Sequence, residues 1–89
     1  MNEQPLISNE HIAVYPTVFD QYLNVESNES LKNLNVFITD LQGKLVFKKL
    51  INGNAQINLS KFTAGCYIMK IENSERKNLF QGKIIKSNK

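Results

Sequence analysis

The chain has 89 residues, 42% hydrophobic and 21% charged, with four Gly, two Pro and one Cys, which suits a single globular domain with one modest core. Its formal net charge of +3 is unevenly spread: residues 1–30 hold five acids and no base, and residues 31–89 hold eleven bases and three acids. One Cys and one His exclude an intrachain disulfide, a thiolate metal site and any site needing two imidazoles, and no apolar run approaches the length of a membrane-spanning helix.

In chain order, short apolar blocks rich in Val, Ile, Phe and Tyr alternate with turn residues, and no 3.6-residue period is sustained. Residues 1–11 lack the basic and apolar regions of a signal peptide and read as a polar tail or linker, leaving 12–89 as the domain. The first predicted strand, 12–15, ends at Pro16, which cannot donate to a ladder. The second, 22–26, turns Leu23 and Val25 inward, and 27–30 is a loop. The third, 34–39, turns Leu34, Val36 and Ile38 inward. Asp40-Leu41-Gln42-Gly43 reads as a type I turn, with Asp40 capping the turn amides and Gly43 taking positive φ. The fourth strand, 44–51, has no clear facing, because Leu45, Phe47 and Ile51 compete with Val46 and Leu50. Asn52-Gly53 predicts a type I′ hairpin turn into a fifth strand, 55–59, with Ile57 and Leu59 inward. The sixth, 66–72, sets Tyr67, Met69 and Ile71 on one face. The seventh, 77–86, contains Gly82, which suggests a bulge. Seven short strands about ten residues apart predict an all-β, seven-stranded antiparallel immunoglobulin-like β-sandwich. No linker is long enough for the crossover helix of a parallel sheet.

Few residues offer chemistry. Tyr67, just after a turn, stands where sandwich folds place a tyrosine whose hydroxyl bonds to upstream backbone. Cys66 reads as a small apolar filler, since a nucleophile would need a basic partner and His11 lies in the tail. Asp40 belongs to its turn, Glu72 and Glu75 flank a hairpin with Arg76, and no two acids are forced onto one buried face for acid–base work. No phosphate-loop or dinucleotide glycine pattern is present, so neither an enzyme nor a cofactor or metal is expected. Ten of the eleven bases are Lys, and no stacking-aromatic motif accompanies them, so the basic half does not read as a nucleic-acid surface.

The order of these pieces resembles the type A C-terminal sorting domain of the type IX secretion system of Bacteroidetes. The resemblance rests on Val14-Tyr15-Pro16, Leu23-Asn24-Val25, Asn35-Val36-Phe37 and Asp40-Leu41-Gln42-Gly43-Lys44-Leu45-Val46. It continues through Leu59-Ser60, Ala64-Gly65-Cys66-Tyr67-Ile68-Met69-Lys70-Ile71 and Lys83-Ile84-Ile85-Lys86. Its structural positions here are Pro16, Asp40, Gly43, Lys44, Gly65 and Tyr67. One departure is Pro16-Thr17-Val18, where the family usually has Pro-Asn-Pro, and losing the second Pro should loosen that loop.

The resemblance implies a folded address on a larger secreted cargo. The address would be read at the type IX outer-membrane translocon and removed by a sortase-like protease. It further implies passage through the periplasm to the cell surface or exterior, with cleavage in the 2–10 stretch. The last strand, expected at a sheet edge, is the candidate recognition element, with Lys77, Lys83, Ile84, Ile85 and Lys86 as its residues: Lys83, Lys86 and Lys89 would bring it to an acidic receptor, and Ile84 or Ile85 would anchor it in the core. Such an edge would also open a route to a homodimer. The alternative from another class is an adhesive or carbohydrate-binding sandwich module, which should expose aromatic rings in a row. Tyr15, Tyr22, Phe37 and Phe47 are the candidates for exposure, scattered over different strands.

Overall fold

The computed structural model describes residues 6–7, 12–27 and 32–87, so His11, Lys89, most of the 1–11 tail and most of the 27–30 loop lie outside it. Nine strands form two stacked sheets: β1 (Leu6–Ile7), β2 (Ala13–Tyr15), β3 (Val18–Phe19), β4 (Tyr22–Glu26), β5 (Leu34–Thr39), β6 (Leu45–Ile51), β7 (Ala55–Asn58), β8 (Gly65–Glu72) and β9 (Asn78–Lys86). One sheet has the order β1-β2-β4-β7 and the other β3-β9-β8-β5-β6.

Alternation places the core. Leu23 and Val25 of β4, Leu34, Val36 and Ile38 of β5, Ile57 of β7, Met69 and Ile71 of β8 and Ile84 of β9 are buried between the sheets, as period-two patterning requires. Ile12, Val14, Phe19 and Leu59 close the ends of the same cluster.

Four features differ from the sequence expectation. First, the described residues form nine strands, not seven. Leu6–Ile7, expected in the tail, pairs with Val14 and Ala13, and the two-residue β3 runs parallel to β9, with Val18 beside Ile85 and Phe19 beside Lys86. No crossover helix is needed, because β4 to β8 lie between these two strands in the chain. Second, the stretch after Pro16, expected to be a loop, is hydrogen-bonded to the end of the chain: the Thr17 carbonyl accepts from Ile85 N at 2.7 Å and the Phe19 carbonyl from Ser87 N at 2.7 Å.

Third, Asn52-Gly53 makes no hairpin, because β6 and β7 belong to different sheets. Gly53 does take φ +61, as the dipeptide suggested. Long-range bonds carry the chain across instead: Asn52 Oδ1 accepts from Asn33 N at 2.8 Å, Asn54 Oδ1 from Ser27 N at 2.9 Å, and the Gly53 carbonyl from Ser27 Oγ at 2.7 Å. Fourth, the bulge in the β8–β9 pair is not at Gly82, which sits in regular register opposite Met69. The register slips where Ile71 faces Phe80 and Glu72 faces Asn78, so Leu79 is the extra residue. The two adjacent buried side chains, Leu79 and Phe80, are the result.

The unclear facing of β6 has a structural cause. It is the outermost strand of its sheet, and only Ile51 of its residues is buried. With neither face fully covered, neither face had to be apolar.

Candidate recognition surface

The β5–β6 turn forms as its residues dictate. Asp40 Oδ1 accepts from Gln42 N and Lys44 N, each at 2.9 Å, and Asp40 N donates to the Lys44 carbonyl at 2.9 Å. Gly43 supplies φ +88. The β8–β9 turn repeats the arrangement without the glycine. Asn73 Oδ1 accepts from Glu75 N and Lys77 N, each at 2.9 Å, and Arg76 occupies the positive-φ position at +67. The Tyr67 hydroxyl donates to the Thr63 carbonyl at 2.6 Å, tying the start of β8 to the loop before it. Tyr15-Pro16 is a cis peptide at the point where the chain leaves β2. The Tyr15 hydroxyl donates to the Glu26 carboxylate, and this bond raises the tyrosine pKa above its usual 10.0.

The candidate recognition residues on β9 do not form one face. Ile84 lies fully in the core, opposite Tyr67. Lys86 is also turned inward and is only 6% exposed, with Nζ donating to the Ser87 carbonyl at 3.3 Å. Ile84 is thus the isoleucine of the pair that sits in the core, while Lys86, expected to present charge, lies inward: from Phe80 on, even-numbered positions of β9 face the other sheet, and a lysine at the end of that row folds its stem over the core. Lys83 and Ile85 share the outer face, opposite Ile68 and Cys66, and Val18 lies beside Ile85. Lys77 is exposed at the far end, at the close of the 73–77 turn. The expectation that β9 is an edge strand is also revised. β3 covers it at Ile85 and Lys86, and among the described residues no strand pairs with the outer side of 78–84.

Sequence reasoning missed the more open surface, along β6. Leu45, Val46 and Leu50 are 50%, 41% and 58% exposed, and Lys48 and Lys49 stand among them. Lys48 Nζ lies 5.6 Å from the centre of the Phe37 ring. Next to β6, Phe47 packs edge-on against Phe62 at 6.0 Å, and Phe62 against Tyr67 at 5.0 Å. The aromatics assemble into no flat row. Tyr15 and Tyr22 are on one sheet and Phe37 and Phe47 on the other. The signal that could have located this surface was the ambiguous facing of 44–51 itself. Among the described residues no three His, Cys, Asp or Glu side chains gather into a metal-binding group.

The family model described as "Secretion system C-terminal sorting domain" matches residues 13–87. The chain belongs to this family, the type IX secretion C-terminal sorting domains. The matched span runs from the start of β2 to just past β9, leaving out only β1 of the nine strands. A sorting domain of this type implies a secreted or cell-surface protein, with a cargo to be carried and export machinery to carry it. No curated protein matches the chain. Among solved structures, a DUF3244 family protein with an immunoglobulin-like β-sandwich fold from Bacteroides vulgatus ATCC 8482 is similar, with a TM-score of 0.71 at 21% identity. The alignment covers 85% of this chain and 83% of that one, which establishes the fold.

Proposed function

We propose that this sorting domain is read as a folded surface by the type IX translocon after the cargo reaches the periplasm. A sortase-like protease then removes it, leaving the cargo at the cell surface or outside. The role is addressing, not catalysis, and it involves neither nucleic acid nor membrane insertion. The observation that carries the reading is that the family match, 13–87, takes in β2 to β9 and so spans both sheets. A signal spread over both sheets is not available to a receptor as a linear peptide. Within it, Lys83 and Ile85 present charge and apolar surface on one outer face, whereas Ile84 and Lys86 hold the strand in place.

The test is a fluorescent protein fused to residues 1–89, which retains β1, expressed in hosts with and without the translocon. Export only where the translocon is present is expected. Export in both hosts, or in neither while the fusion remains folded, would count against the proposal. Lys83→Glu probes the surface without touching the core. Deleting 83–89 would not, because it removes Ile84 from the core.

A further inference from the structure

Among the described residues, β6 pairs only with β5, and β7 only with β4, so each ends its sheet. Between these two edges a cleft of about 410 Å³ opens against Phe47, Leu59, Lys61 and Phe62. Phe62 also lines a second hollow of about 340 Å³, with Val46 and Tyr67. The side of the sandwich thus combines unpaired strand backbone with an apolar floor. Its free charge is basic: Lys61 lines both hollows and Lys48 and Lys49 are exposed on β6, while Glu72, which shares a hollow with Leu45, is paired with Lys70 at 3.2 Å.

We propose that β6 is a strand-addition site for an extended, acidic segment of a partner protein with apolar side chains at alternate positions. Main-chain bonds to the open edge would hold the segment, and alternate side chains would enter the cleft beside Phe47 and Phe62. The other set would meet Lys48 across the strand pair, with Lys61 lining the cleft. Seven residues of β6 span roughly 23 Å, so the segment is seven or eight residues long.

The charges disfavour a second copy as the occupant. Lys48 is the midpoint of Leu45–Ile51, so full-overlap antiparallel pairing of two β6 strands sets it against itself. Like charges directly opposite destabilise a pair. Edge lysines that prevent self-pairing are the same groups that select a carboxylate-bearing strand. This inference goes beyond the sorting role and does not depend on it, since it concerns binding in solution rather than export.

The 89-residue chain, labelled with nitrogen-15, is titrated with a synthetic octapeptide alternating Glu and Val, and with a control in which Lys replaces Glu. The acidic peptide should shift and protect β6 amides and perturb Phe47 and Phe62, while the Lys peptide binds at least about tenfold more weakly. Lys48→Glu combined with Lys49→Glu alters exposed side chains and should weaken the acidic peptide about tenfold in a chain that still unfolds cooperatively, melting slightly lower for the lost Lys48–Phe37 contact. Shifts that map elsewhere, equal binding of the two peptides, or no binding of the acidic peptide would overturn the proposal. So would a dimer through β6, seen by sedimentation, that the peptide does not dissociate.

Discussion

Arg76→Gly should stabilise the domain, and Gly43→Ala should destabilise it. The two hairpin turns share one hydrogen-bond plan. Asp40 and Asn73 each accept two turn amides at 2.9 Å, and Asp40 N and Asn73 N donate to the carbonyls of Lys44 and Lys77 at 2.9 and 3.0 Å. They differ at the residue that takes positive φ, Gly43 at +88 and Arg76 at +67. A side-chain-bearing residue in the left-handed region costs about 1–2 kcal/mol, because Cβ crowds the following carbonyl oxygen. Glycine recovers that strain but gives the unfolded chain more freedom, worth about 0.4–1 kcal/mol. The difference leaves Arg76→Gly stabilising by about 1 kcal/mol, or roughly 4–8 °C in Tm for a domain of this size. Gly43→Ala should lower Tm by at least as much, since φ +88 lies further from the narrow region open to side-chain-bearing residues. Thermal unfolding followed by circular dichroism measures both. If Arg76→Gly melts lower than the unaltered chain, the equivalence of the two turns is wrong, and the arginine side chain contributes more than its backbone strain costs.

The other expectations rest on separate contacts. Tyr67→Phe removes the bond to the Thr63 carbonyl but keeps the ring against Phe62, so it should cost about 1 kcal/mol in urea unfolding. Ile84→Ala, at a fully buried site, should cost about 2–5 kcal/mol by the same measurement and reduce export only through lost folding. Gly65→Ala meets no atom within 4 Å, so its cost should be that of φ +148 alone, roughly 1 kcal/mol; unchanged melting with lost export would instead put Gly65 in the recognition surface. The raised pKa of Tyr15 means the folded chain holds that proton more tightly, so its contribution to stability is present below the usual tyrosine pKa and lost as pH rises through the folded value. Tyr15→Phe should remove a phenol that ionises above pH 10.0 from the ultraviolet titration.

Where burial decides, the sequence was readable. Leu23, Val25, Leu34, Val36, Ile38, Ile57, Met69 and Ile71 face the core because alternation has one consistent solution when a strand has one covered face. Local turn chemistry was readable too, at Asp40 and Gly43. Sheet membership was not. Asn52-Gly53 specifies positive φ and says nothing about which sheet the next strand joins; that is set by Asn33, Ser27 and Asn54, residues up to 27 positions apart in their pairing. The two-residue β3 carries too little pattern to register, and its pairing with Ile85 and Lys86 depends on where β9 already lies. The recognition strand was misjudged for a related reason. A run of Lys and Ile such as 83–86 looks like an exposed basic edge, but the same alternation that exposes Lys83 turns Lys86 inward.

The charge asymmetry of the chain becomes an asymmetry between sheets. The strands of the five-stranded sheet carry Lys48, Lys49, Lys70, Lys83 and Lys86 against one acid, Glu72, which pairs with Lys70 at 3.2 Å. Those of the four-stranded sheet carry Glu26 and no base. Stability does not require this arrangement, because exposed charges of one sign repel and isolated surface ion pairs contribute little. The positive sheet also has the open β6 edge, and its outer face bears Lys83 and Ile85. A domain that must meet its partner in one orientation gains from such a division, since a one-sided field favours encounters on the basic face over those on the acidic one. In the proposed strand addition, apolar contacts at Leu45 and Leu50 would then decide which acidic segment is retained.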